Sequence, residues 1–185
     1  MIHLSRVIVF LMGLFIIVST TVVNAAPGDF DSKKDILVDD FEDASGSDPY
    51  SGGRYWYSFG GLSVMASNNG LQVSGNLPNW SGFGIDPTPT GMNGAVINAE
   101  GSPMMCIEFT GTAHLITEVY DNKYKKNEFN FGSKESMIRI SKNGNKWVAF
   151  PLPTACINYN IAKIQFKFGP QKVDLVVKKI YFTGK

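Results

Sequence analysis

From residue 36 onward the chain changes between apolar and polar residues every one or two positions, the period of a half-buried β-strand. In Arg54–Phe59 (RYWYSF), Tyr55, Tyr57 and Phe59 share one side, and Arg54, Trp56 and Ser58 the other. In Ile164–Phe168 the apolar residues Ile164, Phe166 and Phe168 point to a core, which leaves Lys163, Gln165 and Lys167 on the opposite surface. In Leu115–Asp121 the set Leu115, Thr117 and Val119 is assigned inward, and Ile116, Glu118 and Tyr120 outward. Ile36–Glu42 reads as an outer strand ending in carboxylates. Further segments of strand composition are Leu62–Ala66, Leu71–Val73, Gly82–Ile85, Met104–Phe109, Glu128–Phe131, Met137–Ser141, Trp147–Leu152 and Asp174–Phe182. Turn chemistry separates them at Ala44–Gly53, Asn68-Asn69-Gly70, Asn143-Gly144-Asn145 and Gly169–Lys172. No window of a dozen residues keeps a helical period, and Pro87–Pro103 predicts a long loop or a short helical turn. The pattern therefore predicts an all-β sandwich in a single domain.

The N-terminus follows a different rule. Arg6, the apolar run Val7–Val18 and the small residues of Val23-Asn24-Ala25 have the layout of a cleaved secretory signal over residues 1–25. The run is shorter than the ~20 residues a membrane span requires. Residues 26–35 are read as a flexible leader and 36–185 as the domain, destined for an extracellular, cell-surface or periplasmic location. Removing the signal takes away one Arg and leaves 16 basic and 16 acidic residues. That balance gives no support to nucleic acid or to an anionic membrane as partner. Two cysteines, Cys106 and Cys156, enter an oxidising compartment, either as a disulfide or as two buried thiols.

Candidate chemistry is sparse. The mature chain has one histidine, His114, and no G-x-S-x-G turn, so neither a His-based triad nor a zinc site is supported. A glycosidase pair drawing on Glu118 and an Asp is the weakest reading, and the protein is expected not to be an enzyme. Asp40 and Glu42 share one side of the acidic strand and Asp39 and Asp43 the other. Asp40 and Glu42 are the candidate ligands for a structural calcium ion, or else belong to a solvated strand end. If the strands of Tyr57, Tyr120 and Gln165 lie in one sheet, their open face combines aromatic rings with amide, carboxylate and ammonium groups. Such a surface suits a sugar, whose apolar ring faces stack on aromatics and whose hydroxyls need planar polar partners. The opposing possibility is that Tyr55–Phe59 is ordinary core.

Ile36–Asp43 (ILVDDFED), Gly52–Tyr57 (GGRYWY), Trp147–Pro151 (WVAFP) and Ile161–Phe182 together resemble the family 11 carbohydrate-binding modules. The resemblance implies a β-jelly roll of two antiparallel sheets, related to the galactose-binding-like folds. Its concave face would bind single β-glucan chains such as β-1,3-1,4-glucan or cello-oligosaccharides. It places Gln165 where the family carries a histidine, Tyr57 or Phe59 at one aromatic contact, Trp80 near a second, Tyr120 across the cleft, and Trp147 in the core. It also sets Lys178 where the family has an aspartate that closes a calcium site, so a Lys178–Glu42 pair would replace the ion. Family members ride beside catalytic domains, which implies association with separate cell-wall-degrading enzymes.

These lines converge on a secreted, non-catalytic carbohydrate-binding protein. Tyr55, Tyr57, Trp80 and Tyr120 would stack on the sugar, while Glu118, Gln165 and Lys167 orient its hydroxyls. Aromatic contacts worth ~0.5–1.5 kcal/mol each set the expected dissociation constant at roughly 10 µM to 1 mM. The alternative is a structural or protein-interaction module on the same fold. The two readings separate on whether the rings lie on the open face or in the core.

Overall fold

The computed structural model describes residues 30–44, 50–52, 54–85, 96–112, 114–130, 139–140, 144–152 and 157–184. Alternating runs and turn signals yield β1 (Ile36–Asp39), β2 (Tyr50–Ser51), β3 (Arg54–Phe59), β4 (Ser63–Ser67), β5 (Gly70–Leu77), β6 (Ser81–Ile85) and β7 (Ile97–Asn98). They continue through β8 (Met104–Thr112), β9 (Ile116–Asp121), β10 (Lys126–Asn130), β11 (Arg139–Ile140), β12 (Lys146–Pro151), β13 (Asn160–Phe168) and β14 (Gln171–Thr183). The turn at Asn68–Gly70 joins β4 to β5, and Gly169–Pro170 joins β13 to β14. The irregular stretch from Pro87 contains the short strand β7, which pairs with β13. Residues 86–95 lie outside the described residues.

Two antiparallel sheets result, forming the expected all-β sandwich of jelly-roll type. The first runs β11-β12-β8-β14-β5-β4, with β1 beside the far end of β14, and the second runs β10-β9-β13-β6-β3-β2, with β7 beside β13. Both sheets turn their apolar sides inward, so the core lies between them. Phe83 stacks on Phe166 at 4.7 Å within the second sheet, and Phe129 of β10 stacks on Phe150 of β12 at 4.8 Å, tying one sheet to the other.

A bulge interrupts the parity of β14. Val173, Leu175 and Val177 face the core, the register shifts between Val177 and Lys179, and Ile180 and Phe182 then take the inward positions. Tyr181 is consequently turned to the outer side of the first sheet, where burial and the neighbouring Cys106 push its hydroxyl pKa up. Phe30 covers Tyr181 edge-on at 5.3 Å, and Lys179 lies over the Phe30 ring at 4.8 Å. Residues 30–35, expected as flexible leader, therefore form a docked turn. Asp35 accepts from the Asp31 amide at 2.7 Å, and an apolar ring at residue 30 secures the segment to the sheet. The signal and residues 26–29 lie outside the described residues. Trp147 is buried, but it pairs across the strands with Glu108 on the outer side and is absent from the inter-sheet core. Its expected core position is thus corrected by one step of strand parity.

Cys106 is buried on the same outer side, paired in register with Tyr181. Cys156 lies outside the described residues, and with it the proposed disulfide.

Candidate functional site

Strand β3 distributes its rings as its alternation requires. Trp56 is fully buried, with its ring 5.5 Å from Phe41 and its Nε1 donating to Asp39 Oδ2 at 2.8 Å. Tyr55 and Phe59 face outward with 52% and 36% of their surface exposed, and Tyr57 between them is half-buried. The rings therefore lie on the open face of the second sheet.

Register then lines up residues from distant parts of the chain. Tyr57 pairs with Gly84, Gly84 with Gln165, Gln165 with Glu118, and Glu118 with Glu128, a row across five strands. A second row holds Phe59, Gly82, Lys167, Ile116 and Asn130, and a third sets Lys163 beside Tyr120 and Tyr120 beside Lys126. Six of the seven candidate ligand-binding residues thus share this face: Tyr55, Tyr57, Glu118, Tyr120, Gln165 and Lys167. Strands β3, β9 and β13 thus lie in one sheet, the condition on which the open-face reading depends.

The glycines of β6 decide how the rings lie. A Cβ on Gly84 would stand 2.5 Å from the Tyr57 hydroxyl and 2.6 Å from the Ile164 carbonyl. On Gly82 it would stand 2.4 Å from Phe59 and 2.3 Å from the Phe166 carbonyl. With no side chain beneath them, both rings reach across β6 along the sheet, and the Tyr57 hydroxyl arrives at Gln165 Oε1 at 3.1 Å. Strand alternation alone does not single out these glycines. Their signal in the sequence is the Gly-Phe-Gly of residues 82–84, since glycine inside a strand marks a close approach from a neighbour.

Beside the rings sits a charged network centred on Glu118, which is only 2% exposed. Its Oε1 accepts from Lys126 and Lys167, each at 2.8 Å. Its Oε2 accepts from the Tyr120 hydroxyl at 3.0 Å and from Gln165 Nε2 at 3.4 Å. Burial disfavours the carboxylate, but the bonds from Lys126, Lys167 and Tyr120 overcome it and hold Glu118 at about 2. The same contacts, Glu118 first and Glu128 second, push the Lys126 ammonium up. Burial and the adjacent Glu118 raise Tyr120. Gln165 is fixed from both ends, its oxygen by Tyr57 and its nitrogen by Glu118. Lys126 and Glu128 are not singled out by the sequence; the alternation in KNEFN is their only sign.

Trp80, the seventh candidate, stands just before β6 with 60% of its surface exposed. It lines an open groove of about 420 Å³ together with His114, Asn130, Lys167 and Gln171 at one end of the face. Gln171 braces the groove by bonding the His114 backbone twice, at 2.7 and 3.2 Å. His114 is exposed there.

The acidic strand works differently. Asp39 and Asp43 share the Ser51 hydroxyl at 2.9 and 3.0 Å, and Asp39 also accepts from the Phe41 amide at 2.9 Å. Asp40 Oδ2 lies 3.9 Å from Lys179 Nζ, and Glu42 is exposed. Among the described residues no three His, Cys, Asp or Glu side chains converge on one point. Lys178 donates to the Asn69 carbonyl and does not meet Glu42; the β14 bulge gives the acidic strand Lys179 instead. Treatment with EDTA is accordingly expected to leave the melting temperature unchanged. A fall of several degrees, reversed by added calcium, would return an ion to this end of the sandwich.

No protein-family model and no curated protein matches the chain. Among solved structures it is similar to an exo-β-agarase, with a TM-score of 0.52 and 11% identity, over 81% of this chain and 25% of that one. It is also similar to a mutant of a family 29 carbohydrate-binding module, with a TM-score of 0.49 and 11% identity, over 82% of this chain and 93% of that one. A third similarity is to PfGH50B, with a TM-score of 0.46 and 12% identity, over 70% of this chain and 22% of that one. The chain spans about a quarter of the agarase and a fifth of PfGH50B. At these identities the likeness is one of fold.

Proposed function

We propose that this protein binds a polysaccharide chain on the open face of the second sheet and does not cleave it. The observation that carries this reading is the ring floor made by Tyr57 and Phe59 over Gly84 and Gly82, set directly against the Gln165–Glu118 network. A pyranose ring presents an apolar face to such a floor and equatorial hydroxyls to groups at its edge. Because Gln165, Lys167 and Tyr120 are already held by Glu118, little side-chain freedom is lost when they meet a ligand. Tyr55 and Trp80 extend the apolar surface at the margins.

A non-catalytic role is supported by the state of Glu118. Held at about 2 by two ammonium groups and only 2% exposed, it neither carries a proton at neutral pH nor reaches a substrate. It serves as the anchor of the polar edge. Within the carbohydrates, β-1,3-1,4-glucan and cello-oligosaccharides are the first ligands to try, on the strength of the family 11 resemblance. Secretion, directed by residues 1–25, and work alongside separate cell-wall-degrading enzymes complete the proposal.

Affinity electrophoresis through gels of barley β-glucan, hydroxyethyl cellulose or xylan tests it. Retardation is expected in at least one glucan. Tyr57→Ala and Tyr120→Ala should each weaken it by about tenfold or more, the loss of a stacked ring and its area. Each variant should keep a cooperative melt. Unchanged mobility in every gel would turn the reading to a protein-interaction module, and variants that bind like the parent would move the site elsewhere.

A further inference from the structure

Resting on the proposed polysaccharide face, a finer feature concerns its charge. Lys163 enters the face from β13 and places its Nζ 5.4 Å from the centroid of the Tyr57 ring and 5.6 Å from that of Tyr120. Two rings therefore flank one ammonium in the middle of the candidate site. The other cations of the face are neutralised: Lys126 bridges Glu118 and Glu128 at 2.8 and 2.9 Å, and Lys167 bonds Glu118 at 2.8 Å. Lys163 has no carboxylate partner among the described residues.

The remaining carboxylates offer it none. The described strands of this sheet carry three, Glu118, Asp121 and Glu128. Glu118 and Glu128 are engaged by Lys126 and Lys167, as above. Asp121 is fully buried and bonds the amides of Lys123, Lys125 and Asn158 at 2.8, 2.9 and 3.2 Å. A cation held between aromatic faces, with every nearby described acid already committed, is one charge short of balance at the place where sugar rings would stack. The β9–β10 turn adds exposed Lys123 and Lys125.

We propose that Lys163 selects polysaccharides that carry an anionic group on the ring, either a carboxylate as in uronic acids or a sulfate ester, over neutral chains of the same length. The ring of the sugar stacks on Tyr57 or Tyr120 while its anionic oxygens accept from the Lys163 ammonium. Such a charge-assisted bond is roughly twice as strong as the neutral one a hydroxyl would make. Neutral glucans still bind through the rings, but more weakly. The carboxylate and the sulfate share this chemistry, and the ligand panel separates them.

The test is isothermal titration of the protein with a tetrasaccharide of galacturonate, a sulfated galactan tetrasaccharide and cellotetraose, at low and at high salt. It includes Lys163→Gln and, as a charge-matched control on the remote side of the molecule, Lys33→Gln. At least one anionic sugar is expected to bind about tenfold more tightly than cellotetraose at low salt, with the advantage shrinking as salt screens the pair. Lys163→Gln should remove that advantage by weakening the anionic sugar by about tenfold more than it weakens cellotetraose, whereas Lys33→Gln should change neither. Cellotetraose binding as well as both anionic sugars would overturn the inference and leave the polysaccharide reading intact. An equal loss for neutral and anionic sugars in Lys163→Gln would overturn it too, making Lys163 a clip that spaces the two tyrosines. If no sugar bound at all, the inference and the reading beneath it would fall together.

Discussion

Replacing Asp39 by alanine is expected to lower the free energy of unfolding by roughly 2–4 kcal/mol, measured by urea denaturation. The carboxylate is 2% exposed and accepts from three groups, Trp56 Nε1, the Ser51 hydroxyl and the Phe41 amide. Phe41 is held in the left-handed region at φ 62° while its ring is fully buried, a conformation that costs an ordinary residue about 1–2 kcal/mol and that the bond to Asp39 helps to secure. Alanine leaves the indole N–H and the Phe41 amide without their acceptor inside the sandwich. Asparagine is no rescue, because its amide nitrogen must confront one of those donors. The gain from the three bonds is partly offset by burial, which raises the Asp39 pKa despite them and moderates the expected loss. Trp56→Phe removes one of the three donors and keeps most of the ring, so it should cost about 1–2 kcal/mol. If Asp39→Ala melted like the parent, the acidic strand would not anchor β3, and the placement of the ring face would need another cause.

The second large effect is acid destabilisation through Glu118. Its carboxyl is held at about 2 against an unfolded value near 4.5, so the folded state binds the proton less readily than the unfolded chain. Stability from this group is therefore complete above pH ~5 and is lost as pH falls toward 2. Each tenfold difference in proton affinity between the two states is worth about 1.4 kcal/mol, which puts the loss on the order of 3 kcal/mol. Asp39 works in the opposite sense. Its pKa is raised, so protonation below that value favours the fold and offsets part of the loss. The net expectation is a fall in stability between pH 5 and 2 that Glu118→Gln flattens. That variant should also be less stable at pH 7 by roughly 1–3 kcal/mol, since Lys126 and Lys167 lose their shared carboxylate but can turn to water. Glucan binding should weaken by about tenfold or more, because Gln165 and Tyr120 lose the group that orients them. A pH profile identical in parent and variant would mean that the network does not form in solution.

The two predictions act on the two sides of β3. Asp39 fixes the buried side of β3 through Trp56, and Glu118 fixes the polar edge that the outward side of β3 meets through Tyr57 and Gln165. Stability and recognition thus divide along the alternation of Arg54–Phe59. Asp39→Ala tests the first, and Glu118→Gln tests the second together with its own contribution to stability.

Much of this was legible in the chain because it depends on neighbours in sequence. Successive side chains of a strand point to opposite faces, so Trp56 opposite Tyr57, and Phe166 opposite Gln165 and Lys167, follow from the backbone alone. The turns at Asn68–Gly70 and Gly169–Pro170 follow from the conformations those residues favour. The sequence also determined that rings, an amide, a carboxylate and an ammonium were candidates for a common face.

The tertiary structure decided what those groups do. Tyr57 and Gln165 are 108 residues apart, and Gln165 and Glu118 are 47 apart, so their bonds depend on register between strands that no local pattern sets. Register placed Gly84 and Gly82 under the rings and made Glu118 a buried anchor that was expected to meet sugar. The single bulge in β14 reversed the parity of its last residues, sending Tyr181 outward to meet Phe30 and giving the acidic strand Lys179 in place of Lys178. Alternation is a property of one strand's pleat and can be read from sequence. Which strand lies next to it, and one residue of slip between them, is settled only by the packing of the whole sandwich.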